Sequence, residues 1–321
     1  MTLLLRSRWT GYAAFLVVLL LVPAIFTRVP FYTMSVAVLM GLQAITALGL
    51  VPLTGHGRLI SLGQAAFYGI GGYTSALLTT RVGLAPALGV LAGVVLAAGV
   101  AWLLGRLLFR VQGHYLALAT LSFGLMLGFL FAQLPLTGAT SGITSVPSMS
   151  LFGFQFTSDV DTYYLVAAVL LIAVVLVDTL LRSPVGRALT AVGDSPVAAA
   201  ASGVSISALR RGTFALAAAL AALGGGLYVH WTSYADPSML GLLNSVQLLV
   251  VAVVGGLRTV WGAPLGALVV LSLSEATKTL LPHLIPGASG NYEIVVYGAV
   301  LVLVVLFLPN GVAGLIRNRS K

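Results

Sequence analysis

Ionisable side chains are scarce in this 321-residue chain, and their spacing matches no catalytic or metal-binding arrangement. Charged residues make up 7% of the sequence, the 4 histidines are scattered mostly near the ends of apolar segments, and cysteine is absent. The missing cysteines exclude disulfides, thiolate metal sites and cysteine nucleophiles. Neither a Gly-x-x-x-x-Gly-Lys-Ser/Thr phosphate loop nor a His-Glu-x-x-His zinc motif occurs. The sequence therefore predicts no catalytic residue, no metal and no cofactor, and it disfavours an enzyme.

Acids are especially rare inside the apolar segments. Glu275 is the one acid well inside such a segment, and Lys278 follows three residues later on the same helix face, so a local ion pair is expected. Asp178 and Glu293 lie near segment ends. Ion-coupled secondary transporters usually place acids or broken-helix ion sites near the middle of the membrane. The scarcity of acids therefore counts against ion coupling.

The segments that must carry any functional residue are apolar throughout. The chain is 59% hydrophobic, whereas soluble domains carry about 25% charged residues. Because a helical span needs about 20 apolar residues, the sequence predicts an all-α polytopic membrane protein, a bundle of about ten spans forming one domain over 1–321. The predicted spans are 10–27, 31–53, 59–79, 84–105, 115–134, 162–181, 211–231, 243–257, 262–281 and 292–309.

Three of these segments have an alternative interpretation. The Gly-rich segment 59–79 and the short segment 243–257 are either spans or re-entrant pieces. The first segment follows Arg6 and Arg8 in the manner of a signal peptide, but it is about long enough to span and lacks a convincing cleavage site. We expect it to be a retained first helix.

The basic residues predict an orientation. On ten spans with both ends inside, only Arg28, Arg81 and Lys278 fall outside, and all other Lys and Arg fall inside. Cytoplasmic loops of membrane proteins are enriched in Lys and Arg. Both termini and the loop 182–210 are therefore expected in the cytoplasm, and the loop 135–161 outside. The same bias explains the net charge of +9, so no nucleic-acid partner is expected. The chain is expected to be surrounded by membrane lipid.

The loop 182–210 contains a predicted short helix. Ser195 and Pro196 are typical of the N-cap and first position of a helix, an alanine run follows, and Gly203 is a natural stop. Asp194 places negative charge near the helix N-terminus, which the helix dipole favours. An earlier start at Ser183-Pro184 is an alternative. Such a helix offers a smooth alanine surface to a groove in a partner, or it belongs to a plain surface loop.

Four stretches of sequence together resemble one known family, in its order and spacing over nearly the whole chain. The chain is similar to the permease subunits of branched-chain amino acid ABC importers, in particular to the LivM-type members. The stretches are Ser-Leu-Gly-Gln-Ala-Ala-Phe-Tyr-Gly-Ile-Gly-Gly-Tyr at 61–73, Gly-His-Tyr-Leu-Ala-Leu-Ala-Thr-Leu-Ser-Phe-Gly at 113–124, Gly-Arg-Ala-Leu at 186–189 continuing through Asp194 to Gly203-Val204, and Val-Val-Gly-Gly-Leu-Arg-Thr-Val-Trp-Gly-Ala-Pro-Leu-Gly-Ala at 253–267.

The resemblance implies partners and a location. Members of this family work in the bacterial plasma (inner) membrane with a second homologous permease, usually as a heterodimer, with two cytosolic ATPase subunits and with an extracytoplasmic substrate-binding protein. ATP hydrolysis then belongs to separate chains, and the loop 182–210 resembles the coupling helix that contacts an ATPase. The residues that this assigns to coupling are Arg187, Asp194, Ser195, Pro196, Ala199, Ala200 and Gly203.

The resemblance also bears on the pathway and its cargo. Branched-chain or related amino acids are the expected substrates; similar permeases carry urea, short amides or aromatic compounds, and a stand-alone secondary transporter or channel is the competing class. Val192-Gly193 stands where similar proteins often have charged residues, and Leu125 stands where many have an acid or amide. Residues expected along the pathway, for each of which ordinary helix packing is the alternative, are Gln64, Tyr68, Tyr73, Thr120 and Phe123.

Overall fold

The fold is known from a computed structural model that describes residues 2–26, 33–109, 114–151 and 153–284, together with residues 298, 299, 302, 306 and 311–314. Within these residues, a helix lies over every predicted span except 292–309, which falls almost wholly outside the described residues. The helices of the described residues are α1 (Thr2–Phe26), α2 (Met34–Leu48), α3 (Gln64–Arg81), α4 (Pro86–Leu108), α5 (His114–Gln133), α6 (Asp159–Arg182), α7 (Pro184–Asp194), α8 (Pro196–Ala201), α9 (Ile206–Thr232), α10 (Leu242–Gly255) and α11 (Gly262–Leu284).

The prediction of an all-α polytopic membrane protein is confirmed. Five helical stretches among the described residues are long and apolar enough to cross a membrane: Met34–His56, Pro86–Leu108, Tyr115–Gln133, Asp159–Arg182 and Ile206–Thr232.

The two doubtful segments are both short helices. α10 has 14 residues, about 21 Å at 1.5 Å per residue, which is less than the roughly 30 Å of a bilayer core. α3 begins only at Gln64. Before it, α2 passes into a π-helical turn at Val51–His56 and then into irregular backbone. We name Val51–His56 the π turn.

The centre of the bundle is a tight contact of α3 with α4 and α9. A Cβ on Gly71 of α3 would lie 2.2 Å from the carbonyl oxygen of Ala222 in α9, and one on Gly225 would lie 1.9 Å from that of Tyr68. A Cβ on Gly93 of α4 would lie 2.7 Å from the Gly71 carbonyl oxygen. Small residues allow such backbone contact between membrane helices, so the glycines bring the three helices together.

A second group of helices packs beside this centre. α2 contacts α6, α9 and α11, and α1 lies against α6 and α2. α10 and α11 are joined by further glycine contacts: a Cβ on Gly255 would lie 1.8 Å from the Gly262 carbonyl oxygen, and one on Gly266 would lie 1.9 Å from that of Val251. α3 itself is enclosed by α4, α5, α9 and α10, and most of its residues are buried.

The connection between α5 and α6 forms a cap over one end of the bundle. It contains 3-10 turns at Pro135–Thr137 and Ala139–Ser141 and a small ribbon in which Ser150–Leu151 pairs with Phe154–Gln155. Another antiparallel ribbon joins Ile143–Thr144 to Tyr234–Ala235, directly after α9. We name this end of the bundle the cap end; α7 and α8 lie in the connection at the other end.

Replacing Gly71 with alanine is expected to force α3 and α9 apart. Because the new methyl group would meet backbone, not a flexible side chain, relaxation requires a helix shift, and we expect a loss of about 1–3 kcal/mol in stability. Gly99→Ala in α4 is the matched control, since a Cβ there meets nothing within 4 Å. Thermal unfolding in detergent should show a lower Tm for Gly71→Ala alone. Equal Tm values for Gly71→Ala and wild type would contradict the described contact.

Candidate functional site

Two helices, α7 and α8, replace the one predicted in the loop 182–210. The Ser183 hydroxyl accepts a hydrogen bond from the Val185 amide (3.2 Å) and caps α7, while the Ser195 hydroxyl accepts one from the Ala198 amide (3.3 Å) and caps α8. Both Ser-Pro pairs are therefore helix starts, including the one considered only as an alternative. Gly203 follows α8 with a φ of +80°, the left-handed conformation that favours glycine.

The alanines of α8 do not share one face. Ala199 retains only 4% of its surface, whereas Pro196, Ala198 and Ala200 are exposed and Val197 is 81% exposed. The sequence prediction grouped Ala199 with Ala200 as partner-facing, and this grouping is corrected by the structure: Ala199 packs inward. The exposed surface of α8 is apolar and carries no charge.

α7 lies directly on the π turn. Leu189 and Val192 are buried, and a methyl group of Leu189 lies 3.2 Å from the position of a Cβ on Gly57. A Cβ on Gly193 would lie 2.1 Å from the carbonyl oxygen of His56. Val192 is enclosed and Gly193 has no room for a side chain, so neither position can carry a charge in this packing.

An ion pair joins the end of α7 to the segment before α3. The Arg58 guanidinium donates to the Asp194 carboxylate at 2.6 Å. Both side chains are 57% exposed, so the pair contributes about 1 kcal/mol at most and only supplements the packing of α7 on the π turn. Asp194 therefore interacts with Arg58 in addition to the helix dipole of α8. Arg187 is exposed and donates to the Arg182 carbonyl oxygen, which leaves its charge at the surface beside α8.

Gln64, the first residue of α3, is fully buried between α2 and α9. Its Nε2 donates to the carbonyl oxygens of Ala217 (2.9 Å) and Thr46 (3.4 Å), and its Oε1 has no partner. A buried polar atom without a partner costs about 1–3 kcal/mol. Gln64 thus holds the start of α3 in place and keeps one unused acceptor inside the protein.

Thr120 and Phe123 attach α5 to the same region. The Thr120 hydroxyl accepts from the Leu62 amide (3.0 Å) and donates to the Ala117 carbonyl oxygen. The rings of Phe123 and Phe67 lie 5.7 Å apart. Both contacts involve residues at or just before the start of α3, so the structure places these two predicted pathway residues as neighbours of Gln64.

Tyr68 and Tyr73 belong to different faces of α3. Tyr68 contacts Tyr228 of α9, with ring centroids 5.8 Å apart, and Tyr73 contacts Phe131 of α5 at 5.0 Å. Since Gln64 and Tyr73 are nine residues apart, they point roughly 180° from each other on an α-helix. The three predicted pathway residues of α3 therefore do not line a single face of the helix.

A buried histidine that the sequence gave no reason to single out links three elements. His230 Nδ1 lies 2.7 Å from the Pro147 carbonyl oxygen, and Nε2 lies 2.7 Å from the Ser75 hydroxyl. A carbonyl oxygen only accepts, so Nδ1 carries the proton and Nε2 accepts from Ser75. The contact joins α3, α9 and the cap. Ser75 and Pro147 are 155 and 83 residues away from His230 in the sequence, so no local motif could reveal this contact.

Glu275 and Lys278 are a further pair of charged residues, within α11. Lys278 lies 3.4 Å from Glu275, so the expected local pair is present. Within the described part of the chain, no group of three or more His, Cys, Asp and Glu residues is placed to hold a metal ion.

Comparisons with known proteins agree with this architecture. A family model described as "Branched-chain amino acid transport system / permease component" matches residues 32–305. The Escherichia coli (strain K12) high-affinity branched-chain amino acid transport system permease protein LivM is 28% identical over 90% of this chain and 72% of its own length.

Two further relatives differ more from this chain. The LivH permease protein of the same Escherichia coli transport system is 27% identical over 84% of this chain and 91% of its own length. The fructose import permease protein FrcC of Rhizobium meliloti is 27% identical over 60% of this chain and 56% of its own length. No solved structure matches the chain.

Replacing Gly193 with alanine is expected to separate α7 from the π turn. The methyl group would overlap the His56 carbonyl oxygen, so α7 must move outward. Hydrogen exchange followed by mass spectrometry should show faster exchange in Val51–His56 and α7, by about tenfold if roughly 1.4 kcal/mol is lost. The control is Gly212→Ala in α9, where a Cβ meets nothing within 4 Å. Unchanged exchange in Gly193→Ala would show that α7 does not depend on this contact.

Proposed function

The chain belongs to the family of branched-chain amino acid transport system permease components, and on that premise we propose that it forms half of the membrane pathway of an ATP-driven amino acid importer. The observation that carries the proposal is the family match over 32–305, which includes α3 and the α7–α8 segment. The match to a permease component supports a role as a transport subunit, with ATP hydrolysis proposed on separate chains.

The proposed assembly contains four further subunits. A second, homologous permease completes the pathway; the similarity of this chain to both LivM and LivH of one organism supports a heterodimer. Two cytosolic ATPases drive transport, and an extracytoplasmic binding protein delivers the substrate. Both termini and the α7–α8 segment lie in the cytoplasm, and the cap end faces outward, in agreement with the distribution of Lys and Arg.

α8 is the proposed contact with the ATPase. Its exposed surface, formed by Val197, Ala198 and Ala200, is small and apolar, which suits insertion into a shallow groove. Arg187, Asp194 and the caps at Ser195 and Gly203 support this surface without contributing to its apolar face.

Movement of α8 has a continuous route to the buried helix. α7 contacts the π turn through Leu189 and Gly193, and the Arg58–Asp194 pair links α7 to the segment that leads into Gln64. π-helical turns are strained relative to α-helix and occur frequently at functional sites. We infer that closure of the ATPases shifts α7 against the π turn and thereby moves α3, which carries Gln64, Tyr68 and Tyr73.

Branched-chain or related amino acids are the proposed cargo. The similarity to the branched-chain amino acid permease proteins LivM and LivH supports this class. Urea, short amides and aromatic compounds are the alternatives, and the fructose permease among the relatives shows that a similar fold is compatible with a different small polar solute. A stand-alone secondary transporter is disfavoured because acids are scarce inside the spans.

The function is tested with the complete importer. The chain is co-expressed with the permease, ATPase and binding-protein genes found beside its own, and the purified complex is placed in liposomes with ATP on the ATPase side. Uptake of radiolabelled leucine, urea, acetamide and phenylalanine is measured with and without ATP. ATP-dependent leucine uptake is expected. Uptake by the chain alone, driven by an ion gradient, would overturn the proposal.

Ala200→Arg should uncouple the pathway from the ATPases. A long cation on the exposed face of α8 blocks insertion into an apolar groove, so we expect co-purification of the ATPases to fall at least about tenfold, as is usual for a disrupted central contact. Ala85→Arg is the matched control, since Ala85 is an exposed alanine at the cap end. Full ATPase recovery with Ala200→Arg would place the docking surface elsewhere.

A further inference from the structure

Asp236 is an acid at the cap end whose charge is not neutralised by the described protein. It follows the strand Tyr234–Ala235, and its carboxylate accepts a hydrogen bond from the Ser238 amide at 2.6 Å, which caps the 3-10 turn Pro237–Leu240. Among the described residues, no Lys, Arg or His forms an ion pair with it. Its side chain is half-buried. The residue therefore holds a partly desolvated negative charge with free acceptor capacity.

The aromatic side chains beside Asp236 are suited to a cation. Asp236 directly follows Ala235 and precedes Met239 by three residues, and both of these residues are buried beside tyrosine side chains. Tyr73 belongs to a small buried cluster with Ala235 and Met239, against which Tyr228 also packs. Faces of tyrosine rings attract ammonium groups, and the attraction increases where water is excluded. The acid and the two rings thus combine the two features that bind a small cation.

The Tyr73 hydroxyl is an independent sign of a missing ligand. The residue retains only 1% of its surface, and its hydroxyl has no hydrogen-bond partner. A buried hydroxyl without a partner costs about 1–3 kcal/mol, and unpaired groups of this kind call for an explanation such as a site that is filled in another state. Met239 and Leu240 of the same cluster pack against Gly72 and Gly69, and the Tyr73 hydroxyl is out of contact with solvent in the described conformation.

We propose that Asp236, Tyr73 and Tyr228 bind the primary ammonium group of an α-amino acid as it enters the pathway from the cap end. This inference rests on the proposed function and narrows it to cargo that carries a positive charge on its amine. One half-buried carboxylate holds such a group weakly, because the ammonium gives up only part of its hydration. Weak binding suits a solute that has to leave again. Urea, an amide or a sugar has no ammonium group and gains nothing from the site.

Asp236→Asn tests the charge while keeping the local structure. Asparagine caps helical turns as well as aspartate does, so the turn Pro237–Leu240 should persist. In the complete importer we expect leucine uptake to fall about tenfold, the effect of losing one charge-assisted hydrogen bond. Stimulation of ATP hydrolysis by the loaded binding protein should stay at the wild-type level. Asp236→Glu should recover much of the uptake.

The matched control is Asp161→Asn, which removes an acid from the first turn of α6 at the same end of the bundle. It should leave leucine uptake within about twofold of wild type, since Asp161 is half-buried like Asp236 but lies outside the proposed site. Wild-type uptake in Asp236→Asn would overturn the site. So would a parallel loss of stimulated ATP hydrolysis, because Asp236 would then act in docking or folding. A wild-type complex that imports no amino acid would instead refute the proposed function itself.

Discussion

The structure depends on the contact of three helix backbones at its centre. In a membrane, lipid tails are as apolar as the side chains, so burial of apolar surface contributes little to helix association. Helices associate instead through close van der Waals packing. Gly71, Gly93 and Gly225 allow α3, α4 and α9 to touch through their main chains. Every residue assigned to the pathway either belongs to α3 or contacts it, and its position follows from this packing.

The same centre is linked to both ends of the bundle by polar contacts. At one end, Gln64 fixes the start of α3 to α2 and α9, and the Arg58–Asp194 pair extends this link to α7. At the cap end, His230 joins Ser75 of α3 to the backbone of Pro147. A rigid helix that is held at both ends transmits displacement along its length. α3 is therefore suited to couple an event at α8 with the opening of the cap.

Local sequence signals identified the elements but not their partners. The Ser-Pro pairs marked the starts of α7 and α8, since a cap is a property of adjacent residues. The inward position of Ala199 was not predicted, because in a run of identical alanines nothing distinguishes one face from another. Gln64 and Tyr73 lie on opposite sides of α3 because of the helical period, and the continuous sequence motif at 61–73 does not reveal this. Asp236 and His230 acquire significance only through residues far away in the chain.

The enclosure of α3 has a consequence for how the protein is made. Among the described helices, α3 is not one of the five that are long and apolar enough to cross a membrane, and its sequence contains glycine, threonine and glutamine that lipid solvates poorly. Its main partner, α9, begins more than a hundred residues later. During synthesis, α3 therefore emerges before the surface that stabilises it exists. We therefore expect the stable insertion of α3 to depend on its contact with α4 and, later in synthesis, on the arrival of α9.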